Sequence, residues 1–210
     1  MSDLASGRYP DSEEEWLLDG QPLPPYRRTI SRRDITTGST GIALTQATLF
    51  VYAVAVQAGD IFDFVSFLCK TATATPTHSW VALYNGMSTS AALLAQSADV
   101  TTGFVANANK LQLASVVSNV GTVGTPQGPS TPAIVAQGPA IWGVALYNSG
   151  ATGAVIDGMS GGNVAGAIAL TGQVPLAMSG SLAATATAPS TLAGLTALAG
   201  ATPYVVLSRN

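Results

Sequence analysis

From residue 37 onward, glycine, proline, asparagine and serine divide the chain into short apolar runs. Examples are ATLFVYAVAVQ, IFDFVSFL, THSWVALYN, AIVAQGPAIWGVALYN and PYVVLS, which are rich in β-branched and aromatic residues. Runs of this length and composition, bounded by turn residues, are typical of β-strands. The run at 47–56 has ten residues, whereas a membrane-spanning helix needs about 20. The pattern predicts an all-β fold, a jelly-roll-like β-sandwich, and no membrane span.

One strand sequence occurs twice. VALYN stands at residues 81–85 and again at 144–148, each time after a tryptophan and before turn residues. Asn85-Gly86 is the strongest two-residue hairpin signal. The repetition predicts either equivalent strands in the two sheets of a jelly roll or chance reuse of a good strand-to-turn sequence.

The charged residues are concentrated at the N-terminus. Residues 1–36 hold twelve of the 19 charged residues, and charged residues make up only 9% of the whole chain, against about 25% in average proteins. Within this segment, DSEEEWLLDG suits one short helical turn capped by Ser12, and three prolines in PLPP enforce an extended path. We therefore predict an extended N-terminal arm over residues 1–36 and a β-sandwich domain over 37–210.

The arm carries apolar and arginine side chains that it cannot bury by itself. Clustered aromatic residues and arginines dominate protein interfaces, so we expect the arm to dock on another protein; a disordered tail is the alternative. The predicted partner-docking residues are Trp16, Leu17, Leu18, Leu23, Tyr26, Arg27, Arg28, Arg32 and Arg33.

Few residues could support catalysis or bind a metal. His78 is the only histidine, so a Ser-His-Asp site would have to pair it with one of the few aspartates, and no Gly-x-Ser-x-Gly elbow is present. Cys69 is the only cysteine and reads as a buried apolar residue, while Asp60 and Asp63 suit turn capping and strand-edge exposure better than a glycosidase pair. We expect no catalytic residues, no metal and no cofactor.

Further features of the sequence bear on partners, local structure and location. The net charge of -3 argues against general nucleic-acid binding. The glycine-rich stretch GMSGGNVAG at 158–166 lacks the lysine and the helix of a phosphate-binding loop, and it reads as a flexible surface loop. The lone cysteine and the absence of a signal-like start favour assembly in a bacterial cytoplasm.

Residues 58–115 resemble a module found in structural proteins of tailed phages that infect actinobacteria. The resemblance is carried by the strand pair AGDIFDFVSF, the strand TPTHSWVALY, the strand and turn LLAQSADVTT, and the strand ANANKLQLA. It implies a jelly-roll-like domain of a virion protein, attached to the tail or decorating the capsid, and it brings no catalytic residues.

The leading hypothesis is therefore a non-enzymatic virion protein that the arm anchors to tail or major capsid subunits. A minor tail or tail-tip component is favoured over a capsid decoration protein, and the domain is expected to form a homo-oligomer, such as a trimer. A second hypothesis is a carbohydrate-binding module for host-surface glycans, in which Trp80, Trp142, Tyr84 and Tyr147 stack on sugars; core packing is the other explanation for these aromatics. An enzyme such as a depolymerase is the third.

Overall fold

The structure is a computed structural model that describes residues 26–29, 41–115, 134–159, 175–198 and 202–209. Every regular element in these ranges is a β-strand, and every strand pair is antiparallel. The predicted all-β class is therefore confirmed. The strands are β1 (Tyr26–Arg28), β2 (Ile42–Ala43), β3 (Thr48–Val56), β4 (Ile61–Phe62), β5 (Phe64–Thr71), β6 (His78–Tyr84), β7 (Leu93–Ser97), β8 (Asn107–Ser115), β9 (Ile134–Val135), β10 (Ala140–Ser149), β11 (Val155–Ile156), β12 (Gly158–Met159), β13 (Ala177–Ser181), β14 (Thr196–Ala197), β15 (Thr202–Pro203) and β16 (Val205–Ser208).

Twelve of the strands form one continuous path of pairing that divides into two sheets at β8, whereas β4 with β9 and β12 with β15 form separate two-stranded pairs. Sheet I has the order β1-β16-β5-β8, and short β11 and β2 extend it from one end of β5. Sheet II has the order β7-β6-β10-β3-β13-β14. Six residues of β8 (107–112) pair with β5, and its last three pair with β7. A strand that passes from one sheet to the other in this way makes a corner between them, and the sandwich architecture stays a prediction, as does jelly-roll connectivity.

Strict alternation along β3 shows how the core is divided. Phe50, Tyr52 and Val54 point to the main core, which they share with residues of sheet I such as Val65 and Leu207. The residues between them, including Leu49 and Val51, point the other way into a second apolar cluster. Since successive side chains of a strand face opposite sides, both faces of sheet II are buried at its centre. This explains why its strands read as continuous apolar runs.

The second cluster is closed by a chain segment outside the sheets. Residues 182–195, here called the strap, connect β13 to β14 and lie over the outward side of sheet II, with Leu192 and Leu195 buried there. Sheet II is thus covered by sheet I on one side and by the strap on the other.

The two VALYN segments are neighbours in one sheet. β6 and β10 pair antiparallel, with Leu83 opposite Val144 and Val81 opposite Leu146. The expectation that they occupy equivalent places in two different sheets is wrong. Asn85-Gly86 also does not form a two-residue hairpin, because the connection from β6 to β7 runs over residues 85–92; Asn85 Oδ1 instead accepts the Ala92 N–H at 2.8 Å.

Part of the predicted glycine-rich surface loop belongs to a strand. Gly158 opens β12, lies opposite Pro203 of β15 and is buried. A side chain there would overlap the main chain of β15, which accounts for glycine at this position. Residues 160–166 of that stretch lie outside the described residues.

Candidate docking interface

The last residues of the predicted arm form the edge strand of sheet I. Tyr26, Arg27 and Arg28 make β1, opposite Ser208, Leu207 and Val206 of β16. Thr29 continues the attachment, because its N–H donates to Val205 O at 3.0 Å and its hydroxyl accepts the Val205 N–H at 3.1 Å. The prolines just before Tyr26 have no N–H to offer a sheet, whereas residues 26–29 do. The predicted boundary between 36 and 37 thus falls after a strand that is part of the sheet.

Arg27 is held inside the domain by a carboxylate of its own chain. In β1 its register partner Leu207 faces the core, and the Arg27 side chain is only 3% exposed. Its Nε and Nη2 donate to the two carboxylate oxygens of Asp60, both at 2.7 Å. This is the bidentate geometry of the strongest arginine–carboxylate pairs. The structure thus places the Arg27 guanidinium against Asp60 of the same chain, and docking of Arg27 on a partner stays a prediction.

Asp60 is positioned for this role by the turn that follows β3. Its Oδ2 accepts the Gln57 N–H at 2.7 Å, and its own N–H donates to Gln57 O at 3.1 Å. The predicted turn-capping role of Asp60 is confirmed. The same carboxylate therefore closes the β3–β4 turn and holds the end of the arm, and we refer to the Arg27–Asp60 pair as the clamp.

The outward side of sheet I combines basic and apolar side chains. Its members alternate with the core residues of the same strands: Arg28 in β1, Val206 in β16, Phe64, Ser66, Leu68 and Lys70 in β5, and Lys110 in β8. Leu68 is 40% exposed, and Lys70 and Lys110 are exposed. Lys110 Nζ lies 4.1 Å from the centroid of the Phe64 ring, and Lys70 Nζ lies 3.5 Å from Asp157 Oδ1. We call this surface the outer face of sheet I.

The other predicted docking residues are placed as follows. Arg28 stands on the outer face of sheet I, and Tyr26 occupies the register position opposite Ser208. Trp16, Leu17, Leu18, Leu23, Arg32 and Arg33 lie outside the described residues.

His78 begins β6, as predicted, and pairs with Asp99. The two atoms His78 Nδ1 and Asp99 Oδ2 are 2.6 Å apart, and Asp99 Oδ1 accepts the Ser79 N–H at 2.9 Å. The nearby Ser149 hydroxyl accepts the main-chain N–H of His78 at 3.1 Å and lies 2.7 Å from the Thr77 hydroxyl. Within the described part of the chain, no hydroxyl bonds the second ring nitrogen. The cluster therefore ties the start of β6 to the end of β10, and it lacks the serine–imidazole hydrogen bond of a triad.

The aromatics proposed for sugar stacking are buried. Trp80, Tyr84 and Tyr147 lie under the strap and donate to its carbonyl oxygens: Trp80 to Thr185 O at 2.9 Å and Tyr84 to Pro189 O at 2.8 Å. Trp142 packs edge-to-face on Phe62 in the main core, with ring centroids 5.9 Å apart. Core packing is therefore the correct explanation for all four.

Cys69 is buried, as predicted. Its Sγ donates to Thr71 O at 3.0 Å, and burial raises the pKa of the thiol. A raised pKa lowers the thiolate fraction, which is the reactive form. In the ranges that the structure describes, no three His, Cys, Asp or Glu side chains lie close enough together to hold a metal ion.

The sequence analysis missed two contacts that hold the structure together. Asp60 is 33 residues from Arg27, and nothing in the local pattern of either links them. Gln96 holds the strap by accepting the Ala188 N–H at 2.7 Å and donating to Ala186 O at 2.9 Å. A polar glutamine within the apolar strand LLAQS is the signal that could have marked it.

Comparison of the chain with protein-family models, curated proteins and solved structures returned no match. Among the described residues, no helix is long and apolar enough to cross a membrane.

Proposed function

We propose that the protein is a non-enzymatic structural component of a phage virion, anchored to the particle by its N-terminal arm. The observation that carries this proposal is the clamp, which locks the end of the arm into the edge of sheet I. Because the arm leads into a strand held by a buried ion pair, a protein that binds the residues before that strand would also tether the domain to the particle.

The sequence supports the same role. The low-charge β domain suits contacts with further subunits, and the proline-rich stretch before β1 loses little conformational entropy when it docks. The resemblance of residues 58–115 to phage structural proteins favours a minor tail or tail-tip component, with capsid decoration as the alternative. For either a tail component or a capsid decoration protein, we expect assembly in the bacterial host cytoplasm.

Carbohydrate binding through the four named aromatics is a weaker candidate. Trp80, Tyr84 and Tyr147 are buried under the strap, and Trp142 is buried in the main core. A sugar could stack on them only after the strap or the core had opened.

The test is cosedimentation with capsids and, separately, with tails of a phage whose genome encodes the chain. Full-length protein is compared with a truncation lacking residues 1–20, which keeps the clamp, and with a full-length variant carrying Trp16→Ala, Leu17→Ala and Leu18→Ala. We expect the full-length protein to pellet with one particle type and both variants to stay in solution. Binding that survives in both variants would refute anchoring by the arm, and binding to neither particle would refute the virion role.

A further inference from the structure

We propose that two copies of this chain associate through the outward side of sheet II, with Ile141 of each copy seated on the alanines of β3 of the other. This side consists of the outer surface of the strap and of the end of sheet II that the strap leaves open, and we call it the strap face. The inference goes beyond the proposed function, which is carried by the arm, and it gives the expected homo-oligomer a contact surface.

Two large apolar side chains are exposed on the strap face. Ile141 in β10 is 42% exposed, and Leu176, directly before β13, is 46% exposed. Their chain neighbours Trp142 and Ala177 face the main core, so Ile141 and Leu176 point to the other side of the sheet. Single exposed apolar residues are ordinary on a protein surface. These two, however, flank the same strand.

A shallow apolar hollow lies between these two side chains, and β3 forms its floor. Ala55 is the register partner of Ile141, and the Ala53 N–H donates to Leu176 O at 2.9 Å. Ala53 packs against the second apolar cluster, and Ala55, two residues further along the strand, is exposed on the same side. Since β10 and β13 flank β3, Ile141 and Leu176 are two strand spacings apart across the sheet, about 10 Å. A projecting isoleucine thus stands beside a hollow lined by methyl groups.

This arrangement selects a second copy as the occupant. In a two-fold contact the same patch serves on both subunits, so each residue pair across the interface occurs twice. A patch that has both a projection and a hollow meets this condition. The two-fold rotation places Ile141 of each copy over Ala53 and Ala55 of the other, and both contacts form in one association.

The strands and the strap that make the strap face contain no charged residue. Asp, Glu, Lys and Arg are absent from β3, β10, β13, β14 and residues 182–195. At its borders, Asp60 after β3 bonds Arg27, and Asp99 beside the start of β6 bonds His78. Depletion of charged residues marks the core of protein interfaces. An uncharged surface does not attract an acidic or basic partner, but it can meet an identical copy without bringing like charges together.

The strap enlarges the patch to the size of an interface. Its outer surface is made of small side chains, among them Ala184, Thr187 and Ser190. Together with the open end of the sheet, it presents about 20 described residues that are exposed or half-buried, the number found on one side of a standard interface. Hydrogen bonds from Trp80 and Tyr84 hold the strap in place. The surface is therefore preformed, and little conformational entropy is lost when it associates.

The experiment tests the reciprocal contact by sedimentation velocity of full-length chains. One variant carries Ala55→Glu and the other carries Ile141→Lys; both residues are exposed, so the monomer can accommodate the charges. The matched controls are Ala106→Glu and Val105→Lys, at exposed positions just before β8. Circular dichroism and the melting temperature confirm that each variant is folded.

We expect the wild type and the controls to dimerise. Each strap-face variant alone should associate at least about tenfold more weakly, because both of its contacts would bury an unpaired charge. An equimolar mixture of the two variants should regain association. In the mixed pair, one contact is unchanged, and the other sets the introduced acid against the introduced amine.

Four results would overturn the inference. The first three are a wild type that is monomeric throughout the accessible concentration range, strap-face variants that associate as the wild type does, and a mixture that stays monomeric after each variant alone has lost association. The fourth is a fall in melting temperature larger than that of the controls with no change in association, which would show that another part of the same chain covers the patch.

Cosedimentation with phage particles is measured on the same proteins. Particle binding that depends on the arm, together with any of these four results, means that this inference fails and the proposed function stands. Dimerisation through the strap face without arm-dependent particle binding means the reverse.

Discussion

Replacing Asp60 with asparagine should destabilise the domain more than removing its partner does. Asp60→Asn leaves the Arg27 guanidinium, 3% exposed, without its carboxylate and turns an amide donor toward it. Breaking a buried ion pair in this way costs about 3–5 kcal/mol. Arg27→Met keeps the apolar stem and leaves a carboxylate that is 15% exposed and still accepts the Gln57 N–H. The stability lost in Arg27→Met should therefore be smaller, about 1–2 kcal/mol.

The assay is urea unfolding followed by tryptophan fluorescence, because Trp80 and Trp142 are buried in the fold. Arg28→Met is the matched control, since Arg28 lies one residue away on the outer face of sheet I, and it should change stability by less than about 0.5 kcal/mol. The double variant Arg27→Met with Asp60→Asn should recover part of the loss, which measures the coupling of the pair. The reasoning is refuted if Asp60→Asn costs less than Arg27→Met, or no more than the control.

Three further outcomes are expected. Gly153→Ala should cost about 1–3 kcal/mol or more, because the new methyl group would overlap the carbonyl of Leu44. Gly138→Ala, whose new methyl group meets nothing within 4 Å, should be neutral or slightly stabilising, and thermal melts compare the two variants. Gln96→Ala should cost about 1–3 kcal/mol and speed hydrogen exchange in the strap, and unchanged exchange there would contradict its holding role. Burial raises the pKa of Tyr52, whose hydroxyl has no partner among the described residues. The neutral phenol is therefore favoured in the folded state. Its contribution to the free energy of unfolding is complete below about pH 10 and is lost as the pH rises above that value. Tyr52→Phe should therefore flatten the fall in melting temperature at alkaline pH without lowering stability at neutral pH.

The strand pattern predicted the fold class because it depends on local spacing. IFDFVSFL and THSWVALYN have the length, branching and turn boundaries of strands, and β5 and β6 form there. The local pattern could not, however, show which strands pair with one another or which sheet each strand belongs to. Val81 and Val144 belong to the same pentapeptide motif, and their strands turned out to be adjacent partners, because pairing depends on register and on the packing of distant segments.

The predicted arm shows the same difference between local pattern and tertiary structure for single residues. Charge and proline content marked residues 1–36 as different from the rest, yet Arg27 and Arg28, identical neighbours in sequence, have opposite environments. The strand period of two sends one to the core and the other to the outer face of sheet I. Which of them turns inward depends on the register with β16.

By itself, the sequence determined the all-β class, the low charge of the β domain and the limited set of residues able to carry chemistry, because composition and short-range periodicity are properties of the chain. Only the tertiary structure decided that the arm ends in a sheet, that Asp60 holds Arg27, and that the strap covers the aromatics of sheet II. Each of these joins residues tens to more than a hundred positions apart. Such contacts form because buried polar groups must find partners and apolar faces must be covered, and the segment that satisfies them is selected in three dimensions.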